Sequence, residues 1–283
     1  MMELDTVLRA LLFVSPVIAG VVLVIYARSL TGVNGLDDLS QSDTKHRDTK
    51  HRAEQGDAQA QNNFGAMYLN GRGVFPRNTT KAAEWFRQAA EQGLASAQHN
   101  LGVMYHNGIG VPQDYTQAAE WFRQAAEQDF AAAQYNLAVM YDKGRGIPQD
   151  DTQAVEWYHQ AAEQGFAGAQ HNLGVMYVNG RGVTQDDTQA VKWYRQAAEH
   201  GIADAQHNLG IMYLKGEGVP QDDTQAAEWT RQAAEQGIIE AQFGLGLLYG
   251  EGRGVPQNYT QAIKWFFRAQ RNRALQKLKK ILT

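Results

Sequence analysis

The stretch TQAAEWFRQAAEQDFAAAQ, residues 116–134, decides how the rest of the chain is read. Ala118, Trp121, Phe122, Ala125 and Ala126 fall at helical spacing and make one apolar face, with Gln, Glu and Arg between them. The same string, lightly edited, returns along the chain. Tryptophan stands at 85, 121, 157, 193, 229 and 265, a step of 36 each time. Tyrosine stands at 68, 105, 141, 177, 213 and 249, and its first step is 37 because Phe75 is an extra residue in GRGVFPRN. A fixed period of this size marks stacked units, none of which can bury its apolar face alone.

Each unit reads as two helices. The first is carried by strings such as AQHNLGVMY, where Ala97, Leu101, Met104 and Tyr105 form one stripe. It stops at a pair such as Asn107-Gly108, since glycine supplies the left-handed residue that ends a helix. A loop of the form GxGVPQ leads to the second helix, which opens at Asp114 with Gln117 three residues on, the pattern of a capping box. The pair returns as Asp150/Gln153, Asp186/Gln189 and Asp222/Gln225, with Asn258/Gln261 a variant. No strand precedes the GxG loops, so they read as turns and not as phosphate cradles. A further glycine, at 65, 102, 174, 210 and 246 with Ala138 in the third unit, lies within the first helix. Glycine there costs about 1 kcal/mol against alanine, so its return predicts a bulky side chain of a neighbouring helix pressed against it. Asp129 stands where other units have Gly93, Gly165, Gly201 and Gly237, and predicts an irregular joint between the second and third units.

The joint pattern AQxNLGxMYxxGxGVPQDxxQAxxWxRQAAEQG, over residues 53–270, resembles the Sel-1-like repeat, a relative of the tetratricopeptide repeat with a longer period. The resemblance implies an all-α fold, a right-handed superhelical α-solenoid of six helix-turn-helix repeats. It also implies an adaptor or scaffold for protein complexes, often at membranes or in the cell envelope. A branch of that family staples its repeats with disulfides; this chain has no cysteine and lies outside it.

Residues 1–30 differ in kind. The eighteen residues ALLFVSPVIAGVVLVIYA, 10–27, carry no charge and reach the roughly 17–25 needed to cross a bilayer as a helix. A cleaved export signal competes, with Ile25 and Ala27 before a cut at Arg28, but Glu3 and Asp5 spoil the basic leader such signals use. The expectation is a single-pass anchor in a bacterial inner membrane, with the array on one side and a cleaved periplasmic form as the alternative. Arg28, Lys45, Arg47, Lys50 and Arg52 against Arg9 lean toward a cytoplasmic carboxyl side. Residues 31–52, with DTKHR in tandem at 43–47 and 48–52, read as a polar linker.

The middle, residues 53–267, holds 14 basic and 24 acidic residues, a surface that repels nucleic acid, so no nucleic-acid partner is expected. Residues 268–283 hold six basic groups and no acid, with Leu275, Leu278 and Leu282 among them and Phe267 just before. The segment 271–283 is read as a basic helix capping the last apolar face, a role a solenoid end requires. Such a helix also suits anionic lipid.

Positions that hold one residue type in every unit read as packing. These are Trp85, Trp121, Trp157, Trp193, Trp229 and Trp265, Tyr105, Tyr141, Tyr177 and Tyr213, the Ala-Gln pairs and the Met104, Met140, Met176, Met212 series. Positions that change are candidates for partner choice: His99, Tyr135, His171, His207 and Phe243 in one series, Asp204 three residues before it and Asp142 seven beyond it. These offsets share one helix face, placed by the resemblance on the concave side. Equivalent histidines of adjacent first helices lie about 8–10 Å apart, too far to share a zinc readily, so no metal is expected. No nucleophile constellation, acid-base pair or cofactor motif appears, and catalysis has no residues to rest on. The leading reading is a membrane-tethered scaffold that binds a protein or peptide on this face. An envelope enzyme or small-molecule binder built on the same repeats is the alternative.

Overall fold

The computed structural model describes residues 46–71 and 75–282. The anchor at 10–27 and residues 31–45 of the linker lie outside them. Among the described residues all regular structure is α-helical, in thirteen helices. They are α1 (46–54), α2 (Ala58–Asn70), α3 (Thr79–Glu91), α4 (Ala95–Asn107), α5 (Tyr115–Ala126), α6 (Ala131–Lys143) and α7 (Asp151–Glu163). There follow α8 (Ala167–Asn179), α9 (Asp187–Glu199), α10 (Ala203–Lys215), α11 (Asp223–Glu235), α12 (Ile239–Glu251) and α13 (Tyr259–Leu282). The chain divides into two compact units, one ending at Gln92 and the other running from Gly93.

In the second unit each second helix packs on the first helix of its own pair and on that of the next. The local chemistry is the same in every pair. First helices end at Gly108, Gly144, Gly180, Gly216 and Gly252, all left-handed, whose N–H returns to the carbonyl of Met104, Met140, Met176, Met212 or Leu248. Second helices open on Asp114, Asp150, Asp186 and Asp222, whose carboxylates accept the N–H of the third residue on. The reciprocal half of the expected capping box is missing at two of them. The N–H groups of Asp114 and Asp150 that Gln117 and Gln153 would accept are given instead to the carbonyls of Tyr105 and Tyr141, and the two glutamine amides turn forward to donate to Glu120 and Glu156 at 3.2 and 2.8 Å.

The expected close approach of a bulky ring at the mid-helix glycine is present at Gly102, Gly174 and Gly246, while at Gly210 the neighbour is the smaller Thr230. A methyl group on Gly102 would lie 2.7 Å from the Phe122 ring, and one on Gly174 2.6 Å from Tyr194. The residue pressed there is the one after the tryptophan. Phe122, Tyr158 and Tyr194 are fully buried, whereas Trp121, Trp157 and Trp229 are half-buried and only Trp193 in this unit is fully enclosed. Trp157 packs on the cores of two successive pairs, α5 with α6 and α7 with α8. The tryptophans thus brace the joints from the side while their neighbours fill the centre. The tyrosine main chains close the loops: the carbonyls of Tyr105, Tyr141, Tyr177 and Tyr213 accept the N–H of Asp114, Asp150, Asp186 and Asp222 at 3.0–3.2 Å.

The invariant glutamine forms a buried polar seam. Gln134 donates to the Ala126 carbonyl and to Gln160 at 3.2 Å each, and accepts from Gln164 at 2.8 Å. Gln206 repeats this with Ala198, Gln232 and Gln236. A side-chain amide out of water needs such partners, and here both its ends are satisfied from flanking helices.

Asp129 takes φ 58, in the left-handed region that Gly165 and Gly201 hold at φ 83 and 84, and α5 ends one residue early, at Ala126, where α7, α9 and α11 run on to the equivalent Glu, so this joint keeps the left-handed reversal but is irregular in its last helical turn. Its carboxylate lies 3.5 Å from the Gln134 amide. Residues 46–52, read as linker, are helical. In the first unit α1 stands in for a second helix: Gln61 donates to the Ala53 carbonyl at 3.2 Å, across the same eight-residue gap that Gln134 spans to Ala126. The sequence HRAEQG at 51–56 is the tail of the QAAEQG string.

The separate cap at 271–283 is corrected too. α13 is continuous from Tyr259 to Leu282, and it is its first half that covers α12. Ala262 and Ala269 are buried and Asn272 donates to Gln242 at 3.2 Å, while residues 273–280 are all exposed.

Candidate partner-binding face

The variable series lies half-buried along the edge of the first helices, and four of its members, His99, Tyr135, His171 and Phe243, pack on an aromatic neighbour. His99 packs on Phe122 and Phe130 with ring centroids 5.8 and 5.2 Å away. Tyr135 packs on Tyr158 and Phe166 at 5.9 and 4.8 Å. His171 lies 5.8 Å from Tyr194, and Phe243 6.0 Å from Phe266. These contacts continue the aromatic column that presses on the mid-helix glycines, which is why the series is neither core nor free surface.

The histidines are knit to the next pair. His99 Nε2 is 3.0 Å from Asn136 Nδ2, and His171 Nε2 is 3.4 Å from Asn208 Nδ2. His171 Nδ1 is 3.2 Å from Asn172 Oδ1. With an amide donating to Nε2 and a carbonyl oxygen receiving from Nδ1–H, His171 fits the neutral imidazole with its proton on Nδ1. Burial lowers the pKa of His99, His171 and His207 below the ordinary histidine value, opposed by a hydrogen bond with Asn100 at His99, by one with Asn172 and the charge of Asp204 at His171, and by the charges of Glu240 and Asp204 at His207. Asp204 is exposed beside them. The Nδ1 of His207 is buried with no hydrogen-bond partner among the described residues.

Asp142 does not join this row. It is buried at the loop end of α6 and pairs with Lys143 at 2.8 Å and Arg181 at 2.6 Å, and Arg181 also holds Asp151. Burial would raise its pKa, but hydrogen bonds from Lys143 and Arg181 outweigh that and hold the carboxyl below the usual range. Its chemistry is that of an inter-repeat tie.

Two series on this face were hidden by their constancy. Asn100, Asn136, Asn172 and Asn208 are half-buried and stand one residue after the variable series. Three residues further, Val103, Val139, Val175 and Ile211 are half-buried and Leu247 is 54% exposed. Residues that recur from unit to unit read as packing, yet these rows, the first broken by Gly244 and the second varied among Val, Ile and Leu, remain reachable. Between α4 and α6 the face opens into a cleft of about 310 Å3, lined by Val103, His106, Phe122, Tyr135, Asn136 and Val139, with Arg145 at its edge. It offers apolar walls, ring faces and side-chain amides that both donate and accept. Among the described residues no cluster of His, Asp or Glu is arranged to hold a metal ion.

The model of the Sel1 repeat matches the chain at residues 58–94, 95–130, 131–166, 167–202, 203–238 and 239–269. The chain belongs to the Sel1 repeat family. Among the described residues it is an all-α solenoid of six Sel1 repeats, and the resemblance seen in the sequence holds. Proteins of this family generally mediate protein–protein interaction. A solved structure described as a protective antigen present in uropathogenic Escherichia coli strains displaying an SLR fold is 41% identical, with a TM-score of 0.77 over 80% of this chain. This chain spans 48% of that protein's length, about half. A Sel1 repeat protein from Oxalobacter formigenes is 35% identical with a TM-score of 0.67, covering 76% of this chain and 86% of its own. No curated protein matches significantly.

Proposed function

We propose that the array is a membrane-tethered scaffold that takes an extended segment of a partner protein along the first-helix face of residues 95–251. The observation that carries this reading is the cleft between α4 and α6, where half-buried Asn136 and Val139 stand beside Tyr135. An asparagine amide has two N–H donors and an acceptor oxygen, so Asn136, with its Nδ2 on His99, keeps capacity for the main chain of an extended segment, which presents one donor and one acceptor per residue whatever its sequence. The valine row and the aromatic edges supply apolar contact for its side chains. Selection among partners then falls to the positions that differ, His99, Tyr135, His171, His207 and Phe243, with exposed Asp204 favouring a basic group opposite it. The tether is the uncharged segment 10–27, long enough to span as a helix. Among the described residues no helix is long and apolar enough to cross a membrane, so the anchoring rests on that segment alone.

Photoreactive side chains placed at Tyr135 and His171 in cells test the face. One protein captured at both positions, and competed by a peptide from it, is the expected result; no capture above background at either would overturn the reading. Alkaline carbonate washing tests the tether separately. The full chain should stay with the membrane, and release into the wash would remove the anchor while leaving the face untouched.

A further inference from the structure

α13 presents a second face that the array does not use. Tyr259, Ile263, Phe267 and Leu278 are 66%, 54%, 67% and 54% exposed. At about 100° per residue these four and the exposed Ala274 fall within a sector of about 100°, a mainly apolar stripe interrupted by Gln270 and edged by Thr260 and Lys277. In α5, α7, α9 and α11 the position equivalent to Ile263 holds Ala119, Val155, Val191 and Ala227, all buried. On α13 it is open.

The charges on this helix say what can cover the stripe. α13 carries Lys264, Arg268, Arg271, Arg273, Lys277, Lys279 and Lys280 and no Asp or Glu. Counted at the same angle, Arg273, Lys277 and Lys280 flank the stripe on one side, and Lys264, Arg268 and Arg271 on the other. Arg268 is partly held by the array, with its guanidinium 5.0 Å from the Trp265 ring and 3.4 Å from the Glu235 carbonyl. A second copy of this helix laid on the stripe would bring two all-cationic surfaces together with no acid to offset them. An anionic lipid surface meets both demands at once. Apolar side chains enter the acyl boundary, and long cationic side chains on both flanks reach the phosphates.

We propose that α13 is a lipid-contact helix, lying along an anionic membrane surface with Ile263, Phe267 and Leu278 inserted and the two basic flanks at headgroup level. The contact does not depend on whether residues 10–27 span the membrane. It would hold the carboxyl end of the array against the bilayer.

The chain has no cysteine, so a single Ala274→Cys replacement carrying a polarity-sensitive fluorophore reports on the stripe without removing its large side chains. Full-length protein is placed in vesicles of phosphatidylcholine alone, or of phosphatidylcholine mixed with phosphatidylglycerol. The expected result is a blue-shifted, several-fold brighter emission only with the anionic lipid, reversed by high salt and absent when Arg273, Lys277 and Lys280 are changed to Glu. The same label at exposed Glu120 on α5 should not respond. Equal emission in both vesicles would overturn the proposal, whether or not the anchor has inserted. So would a shift that needs no lipid and grows with protein concentration, which would make a second copy the occupant. A second label at Gln270, also within the stripe and exposed, keeps the test open if the first variant misfolds.

Discussion

Gln134 and Tyr135 are neighbours on α6 and live by different rules. Gln134 is wholly buried, and its amide is satisfied by Ala126, Gln160 and Gln164 from the helices on either side. Tyr135 is half-buried on Phe166 and Tyr158, with one edge in the cleft. A rotation of 100° about the helix separates a position that every repeat must solve alike from one that each repeat is free to change. What is conserved from unit to unit inside one chain is therefore the seam, and what varies is its rim.

That contrast can be broken most forcefully at the centre of the column. Tyr158→Ala removes the buried ring that faces Ala138 and should cost about 3–5 kcal/mol, read as a lower denaturation midpoint. Trp157→Ala, half-buried beside it, should cost less; an equal or greater loss would mean that the tryptophans are the true wedges. Gln134→Ala leaves two amides without their acceptor or donor and should cost about 1–3 kcal/mol, whereas Tyr135→Ala should stay within about 1 kcal/mol and abolish partner capture. Equal destabilisation by these two would erase the distinction between seam and rim.

The rim histidines supply a pH test. Burial favours neutral imidazole at His99, His171 and His207, so their folded pKa values lie below the unfolded value of about 6.5. The stability this brings is full above about pH 6.5 and is lost as the pH falls through the folded values. Melting temperature should drop between pH 7.5 and pH 5, and His207→Gln, at the ring with an unpartnered Nδ1, should shrink the drop. The smallest effect is expected at Asp129→Gly. It relieves a left-handed aspartate and should raise stability by no more than about 1 kcal/mol, offset in part by the freer unfolded chain; a loss would show that the contact of the Asp129 carboxylate with Gln134 matters more than backbone ease.

Much of this was legible in the sequence because periodicity is a local signal. Helix pairs, glycine ends, aspartate caps and the crowding at Gly102 and Gly174 follow from spacing alone. The rest depends on which of two adjacent residues faces inward. Trp121 and Phe122 both border the apolar stripe, and only the stacking of real helices puts Phe122 on the glycine. The glutamine seam joins residues 26 and 30 apart, a relation invisible until the stack is built. The asparagine and valine rows are hard to read from the sequence because packing positions repeat and a binding surface that reads a repeating backbone repeats as well. α1 is hidden in the sequence because the duplicated DTKHR reads as polar linker, and the HRAEQG behind it is too short to show the repeat by itself.

The second glycine of each GxG loop has a consequence for how long such a protein can be. Methyl groups on Gly182, Gly218 and Gly254 would collide with the main chain at Asp151, Asp187 and Asp223, the start of the preceding second helix. These three docking partners are the same residue type at the same helix position, and Gly146 sits on Tyr115 in the equivalent place. Excision of residues 167–202 would set Gly218 on Asp151 as it now sits on Asp187, and Gln206 on Ala162 as it now sits on Ala198. The joints are interchangeable parts, so recombination between repeats can lengthen or shorten the array without inventing a new fit, and the number of rim positions becomes a quantity that evolution can set by counting.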